Sequence, residues 1–351
     1  MIWGFVFSPS FLIFSLLSLG GVIFVVFSSG LIGVWVSLEL SFFGFLPILN
    51  GSTVAENEGG VKYFIVQGVG SAVMLVGFLL MVGDRFLFFN NFGVGVVVDL
   101  MVVSGFMIKL GVFPFHFWFP SVMSVSSWFS CFWLSVTQKV GPFWGLSGLG
   151  LSAVLMNSVV WFLVLTSIVG AFGGLAQVQF RPLLAYSSLG QAGWMGLISV
   201  LDAWVFVLYM SLYSVLLGGL LSCLNATSSY KVVDMPGWSG SRGLYFWVFS
   251  GSFFISLGGL PPMAGSALKL VGVMTILASF PGALVFLIFS SMVSLYYYLS
   301  IFVNSVVCLG GSSYSLYGGV SLDKGVGGVV SLVAVINWVG GLPLFCLCGL
   351  L

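Results

Sequence analysis

The sequence predicts an all-α polytopic membrane protein, a helix bundle of about 11 transmembrane helices, two of them discontinuous. Three observations predict this class. Hydrophobic residues fill 60% of the 351 positions, while Asp, Glu, Lys and Arg fill 5%. The mean hydropathy is +1.22. Soluble domains carry roughly 25% charged residues, so this chain cannot cover a water-facing surface of its size.

Apolar runs long enough to cross a bilayer follow one another with short connections, which predicts a single transmembrane domain over residues 1–351. The candidate spans are 8–28, 31–49, 61–83, 94–118, 124–145, 150–172, 180–200, 203–224, 245–278, 282–308 and 327–348. The spans 94–118 and 245–278 contain Gly/Pro breaks and are the two predicted discontinuous helices. Glu56 and Glu58 lie in the Gly-rich stretch 50–60, where we expect a solvated loop.

Basic residues outside the spans predict the orientation in the membrane. Arg85 alone belongs to the side opposite the N-terminus, whereas five basic residues share the N-terminal side. Those five are Lys62, Arg181, Lys231, Arg242 and Lys324. This excess predicts an N-terminus on the inner side and a C-terminus on the outer side. The chain has no charge before Glu39, so we expect no cleaved leader and insertion from the first helix.

Composition also argues against several kinds of partner and cofactor. The formal net charge is +1, which favours neither nucleic acid nor an acidic substrate. The chain has one histidine and five cysteines. Only Cys346 and Cys348 are close together, so we expect no zinc, haem or iron–sulfur site.

Four charged residues lie inside the long apolar runs: Glu39, Lys109, Lys139 and Lys269. A charge in the hydrocarbon core costs at least about 3 kcal/mol, and such residues commonly mark ion or proton paths. Three lysines with one glutamate favour proton handling. Glu39 is the one acid well inside a span. It either forms a static ion pair with a lysine or takes part in a proton switch as their separation changes.

The segment Lys109–Trp118 carries the first predicted break, because Pro114 cannot donate to the carbonyl of Leu110 and Gly111 eases bending. Freed backbone at membrane depth needs protein or water as a partner. His116 is therefore either a proton relay or a core histidine bonded to a carbonyl. Lys109 either faces this polar region or snorkels to an interface.

The second break is predicted at Gly258–Gly265. Pro261 and Pro262 leave the carbonyls of Leu257 and Gly258 without intrahelical partners, one turn before Lys269. Discontinuous helices of this kind line ion paths in transporters, and the alternative is a merely kinked helix.

Lys139 precedes Pro142, which leaves the Gln138 carbonyl open and predicts a polar pocket beside the amine. The alternative for Lys139 is snorkelling to an interface.

Seven short segments together resemble the subunit 2 family of mitochondrial NADH:ubiquinone oxidoreductase, respiratory complex I. They run in the family's order over roughly residues 30–300. These segments are Lys62–Phe64, Lys109–Trp118, Gln138-Lys139, Gly173–Gln177, Leu183–Ser188, Gly193–Met195 and Gly258–Gly265 with Lys269.

The resemblance implies an antiporter-like, proton-translocating subunit in the membrane arm of the complex, within the mitochondrial inner membrane. It implies that Glu39 and Lys109 form a charged pair, that Lys139 is a central relay and that Lys269 lies toward the outer exit. It also implies that other subunits are the partners and hold the flavin, iron–sulfur clusters and ubiquinone.

The sequence departs from the family pattern at four positions, namely Ser121, Arg181-Pro182, Gln191 and Ser300. Gln191 replaces the usual histidine and cannot titrate near neutral pH, which argues against a relay through that position. Two alternatives stay open for the whole chain: a stand-alone cation/proton antiporter, or a scaffold that pumps nothing.

Overall fold

The structure is a computed structural model that describes residues 9–87, 92–150, 152–227, 230–231, 241–261, 263–311, 334–335 and 337–338. Most of the predicted span 327–348 lies outside these residues, as do Pro262, Lys324, Cys346 and Cys348. Apart from one backbone bridge between Gln179 and Lys231, the regular structure of the described residues is helical. The predicted all-α class is therefore confirmed.

Thirteen helices form between residues 9 and 311 of the described chain. They are α1 (Pro9–Phe27), α2 (Leu31–Leu49), α3 (Val54–Leu87), α4 (Phe92–Leu110), α5 (Trp118–Val125), α6 (Trp128–Ser135), α7 (Thr137–Ser147), α8 (Ala153–Leu175), α9 (Phe180–Leu201), α10 (Ala203–Thr227), α11 (Ser241–Gly258), α12 (Ala264–Leu277) and α13 (Pro281–Gly311). Among the described residues, α1, α2, α3, α8, α10 and α13 are long and apolar enough to cross a membrane.

The helices fall into two compact units. The first comprises residues 9–166 and 195–203, and the second residues 167–194 and the chain from 204 onward. In the first unit, α1 packs on α2, α3 on α4, and α7 on α1 and α4. Gly21 and Gly44 allow a close approach of α1 and α2, because a methyl at either would meet the backbone of the other helix. In the second unit, α11 packs on α12 and α13.

Both predicted discontinuous helices are present, since α4 stops at Leu110 before α5, and α11 stops at Gly258 before α12. The predicted continuous span 124–145 is wrong, because it divides into α6 and α7 at Val136. Ser127 starts α6 by accepting a hydrogen bond from the backbone N–H of Ser130 at 3.3 Å. Pro142 lies inside α7 and does not end it.

The loop expected at residues 50–60 is also wrong beyond Thr53, because α3 already begins at Val54. A reciprocal cap explains the early start. The Thr53 hydroxyl accepts from the Glu56 N–H, and the Glu56 carboxylate accepts from the Thr53 N–H, both at 3.2 Å. This capping box satisfies two backbone donors that an uncapped helix start would leave free.

Candidate functional site: two helix breaks with buried lysines

A buried ion pair joins α2 and α4 in the first unit. Lys109 Nζ lies 2.7 Å from Glu39 Oε1, and the two side chains are 2% and 14% exposed. Since burial of either charge alone carries a large desolvation cost, each stabilises the other. The predicted partnership of these residues is confirmed, and Lys109 does not snorkel to the protein surface.

The break after α4 begins at Gly111, two residues after Lys109. Gly111 has a φ of +68°, a conformation that glycine adopts without the steric cost other residues bear. Its N–H donates to Ile108 O at 3.2 Å, and the Val112 N–H donates to Met107 O at 3.0 Å. These two bonds form a Schellman cap, which ends the helix while satisfying two of its last carbonyls.

Two side chains hold this break open. In a continuous helix the Lys109 carbonyl would accept from the Phe113 N–H. Instead, Gln67 on α3 donates its amide to the Lys109 carbonyl at 3.1 Å, and the Phe113 N–H donates to Thr166 Oγ1 at 2.9 Å. The Lys109 carbonyl and the Phe113 N–H thus each have a hydrogen-bond partner although the helix is interrupted, as buried backbone groups require.

His116 lies within the break and is buried, with its ring centroid 4.0 Å from that of Phe117. Among the described residues, its Nδ1 atom has no hydrogen-bond partner, and no hydrogen bond or ion pair joins it to Glu39 or Lys109. The structure therefore places His116 beside the ion pair along the chain but not in contact with its charges.

Lys139 lies in the first turn of α7 and is 2% exposed. Its Nζ atom faces the ring of Phe119, 4.6 Å from the centroid, a distance at which an ammonium is attracted to the aromatic face. Burial excludes snorkelling to the protein surface. A helix interruption lies beside Lys139 at Val136, where the sequence predicted none.

The neighbouring Gln138 ties four helices together. Its Nε2 donates to Ser18 Oγ at 3.1 Å and to Ser41 O at 3.3 Å, and its Oε1 accepts from the Tyr63 hydroxyl at 3.2 Å. Ser41 lies half a turn from Glu39 on α2. This network fixes the start of α7 against the helix that carries the acid.

The second break, in the second unit, repeats the backbone geometry of the first. Gly259 has a φ of +87°. Its N–H donates to Ser256 O at 2.9 Å, while the Leu260 N–H donates to Ile255 O at 3.4 Å. The same Schellman cap therefore ends α11.

Both carbonyls predicted to be free at this break have side-chain partners. Pro261 supplies no N–H to the Leu257 carbonyl, and Gln191 Nε2 donates to that oxygen at 3.3 Å. The Gly258 carbonyl accepts from Nζ of Lys269 on α12. Among the described residues, no acid forms an ion pair with Lys269.

A polar cavity lies between Gln191 and Lys269. Its volume is about 10 Å³, close to the smallest space that accommodates one water molecule. Its lining is rich in hydroxyl groups. The lining residues are Ser167, Ala171, Ser187, Gly190, Gln191, Trp194, Lys269, Ser290, Ser291, Ser294, Tyr297 and Tyr298.

Sequence reasoning found the four charges but missed the amides that satisfy the breaks. Gln67 was not singled out at all, and Gln191 was considered only as a lost titratable group. The available signal was an isolated amide inside an apolar run, since such a residue needs a buried partner. Thr166 gave a weaker signal, because threonine hydroxyls commonly bond their own helix.

The fold and these contacts define a class: a polytopic helical membrane protein whose broken helices adjoin buried or half-buried lysines, as in antiporter-like transport subunits. The family model described as "NADH:quinone oxidoreductase/Mrp antiporter, TM" matches residues 28–294. The chain therefore belongs to the NADH:quinone oxidoreductase/Mrp antiporter membrane family.

Two relatives carry the name NADH-ubiquinone oxidoreductase chain 2. The protein from Lumbricus terrestris is 34% identical over 278 residues, covering 78% of this chain and 80% of its own. That from Branchiostoma floridae is 32% identical over 341 residues, covering 93% and 94%.

Two solved structures share the fold. One is respiratory complex I from Thermus thermophilus, with a TM-score of 0.79 and 23% identity over 97% of this chain and 81% of the other. The second is the Mrp complex from Dietzia sp., with a TM-score of 0.77 and 16% identity over 95% and 75%.

Proposed function

We propose that this chain is the antiporter-like subunit 2 of the membrane arm of respiratory complex I. It translocates protons across the mitochondrial inner membrane, coupled to electron transfer from NADH to ubiquinone in other subunits. The matched family and the names of the chain 2 relatives support this assignment. Its partners are the other membrane-arm subunits and the surrounding lipids. Flavin, iron–sulfur clusters and ubiquinone are bound elsewhere in the complex.

The observation that carries the proposal is the buried Glu39–Lys109 pair at a helix break. Glu39 favours the protonated form of Lys109, so a change in their separation alters how firmly the amine holds its proton. Moving one charge against 100 mV costs about 2.3 kcal/mol. Shifts in a buried ion pair are large enough to supply that energy.

We assign the proton relay to Glu39, Lys109, Lys139, Lys269 and His116. Lys109 and Lys139 are buried and Lys269 is half-buried, and an amine shielded in this way can exchange a proton with a neighbouring group or a water molecule without reaching bulk solvent. The break beside Lys269 supplies the Gly258 carbonyl as an additional acceptor. The N-terminus faces the matrix and the C-terminus the intermembrane space, as the basic residues predict.

Lys139→Met in the assembled complex tests the relay role. We expect electron transfer to persist with fewer protons transferred per electron, because methionine keeps much of the volume but carries no proton. Lys231→Met is the matched control, since Lys231 is exposed and lies outside the helices. Undiminished proton transfer in Lys139→Met would refute the relay role of this residue.

The fold shared with the Mrp complex favours one second candidate, a stand-alone cation/proton antiporter. That protein would exchange cations for protons in liposomes containing this chain alone. We expect no exchange without the partner subunits, and robust exchange would favour the antiporter.

A further inference from the structure

The amide of Gln191 has a hydrogen bond at each end. Its Nε2 donates to the Leu257 carbonyl at 3.3 Å, and its Oε1 accepts from the Tyr209 hydroxyl at 2.6 Å. Tyr209 lies on α10 and is 1% exposed. Three helices of the second unit, α9, α10 and α11, are thus joined through one side chain at the last turn before a break.

The Leu257 bond replaces one that the chain cannot make for itself. Pro261 has no N–H, so the last turn of α11 ends on an unsatisfied carbonyl unless a side chain reaches it. Two consecutive carbonyls lack a backbone N–H donor for this reason, and a different side chain donates to each. Leu257 receives a neutral amide, whereas Gly258 receives the amine of Lys269.

The two donors respond differently to proton transfer. A side-chain amide donates equally at every pH near neutrality, because it does not titrate. The Lys269 ammonium is a strong donor only while charged, since a charge-assisted hydrogen bond weakens when the charge is lost. A break held by Lys269 alone would therefore change whenever Lys269 released its proton.

Resting on the proton-translocating function proposed above, we propose that Gln191, fixed by Tyr209, is a positioning residue. It holds the end of α11 in place in both protonation states of Lys269, so that the amine returns to the same carbonyl and the same cavity after each proton transfer. On this view the replacement of a histidine by Gln191 does not remove a relay group. It makes the support of the break independent of pH.

The test compares Gln191→Met and Gln191→His in the assembled complex reconstituted in liposomes. Methionine has a similar length but cannot bond to the Leu257 carbonyl or to the Tyr209 hydroxyl. We therefore expect protons transferred per electron to fall at every pH. A misplaced reacting group costs up to about 100-fold in rate, and we expect a loss of about tenfold for transfer through this unit. Gln177→Met is the matched control, because Gln177 lies just beyond the end of α8 and its Nε2 donates to Gly173 O four residues earlier, away from a break.

Gln191→His supplies a signature that a packing role would not give. Neutral imidazole can donate to Leu257 and accept from Tyr209, whereas imidazolium cannot accept and also adds a positive charge to the cavity that Lys269 lines. We therefore expect near-parental transfer at alkaline pH and a fall toward the Gln191→Met value as pH decreases. The titratable groups facing this position are Lys269 and the tyrosines at 209, 297 and 298, and the parent protein carries them all, so its own pH profile is the reference.

Lys269→Met measured in parallel separates the two proposals. If Lys269→Met lowers transfer and Gln191→Met does not, the positioning role is refuted while the relay stands. If Lys269→Met leaves transfer at the parental value, the proposed function of that lysine fails. Equal losses in Gln191→Met and Gln191→His at every pH would also overturn the positioning role, since they would reflect packing alone.

Discussion

The two helix breaks share one backbone design, but the lysine at each break has a different partner. At each break a glycine of positive φ closes a Schellman cap, and a glutamine from a neighbouring helix donates to the carbonyl of the last-but-one helical residue. Beside the first break, Lys109 meets the side-chain carboxyl group of Glu39. At the second, Lys269 meets a backbone carbonyl.

This difference teaches what each lysine can do. A lysine beside a carboxylate has a charged partner, and the attraction between the two weakens when the pair separates. A lysine that donates to a carbonyl at a helix C-terminus is attracted more weakly, because that end of the helix carries a partial charge of only roughly −0.5. The first break therefore suits a switch, and the second suits an amine that takes up and releases a proton with less rearrangement.

Among the variants that distinguish the two breaks, removal of the Glu39 carboxylate should have the largest effect. Glu39→Gln leaves Lys109 as a buried charge without its partner, and breaking such a pair typically costs about 3–5 kcal/mol. We expect a marked fall in the thermal stability of the assembled complex. The double variant Glu39→Gln/Lys109→Met should recover much of that loss. A double variant with the summed loss of both single variants would show that the pair is not energetically coupled.

Alanine at the two positive-φ glycines should give a smaller and unequal effect. Both substitutions incur left-handed strain of about 1–2 kcal/mol. At Gly259 the new methyl would also lie 2.6 Å from Lys269 Cδ, whereas at Gly111 the nearest atoms are at an ordinary 3.4 Å. Gly259→Ala should therefore displace the lysine and reduce protons transferred per electron, while Gly111→Ala should reduce stability with little change in transfer. Equal transfer in the two variants would contradict this distinction.

Much of this site follows from the sequence because its causes are local. A proline removes a definite N–H, so the free carbonyls of Leu257 and Gly258 were predictable from Pro261 and Pro262. Glu39 was predictable as a partner because it is the one acid well inside a predicted span. The resemblance to a known family pointed to the same residues.

The remaining features depend on contacts between distant segments. Gln67 and Lys109 are 42 residues apart, and Gln191 and Leu257 are 66 residues apart, so spacing could not pair them. The split of the span 124–145 at Val136 was missed because no glycine or proline marks it. The early start of α3 was a missed local signal, because Thr53 and Glu56 have the spacing of a capping box.

The most direct test of the central claim is proton transfer per electron in Lys109→Arg and Lys269→Arg complexes. Arginine keeps the positive charge, and so the ion pair or the carbonyl bond, but it does not release a proton in proteins. The account predicts that both variants assemble and transfer electrons while transferring fewer protons than the parent. Parental proton transfer in both variants would contradict it, because the lysines would then act only as fixed charges.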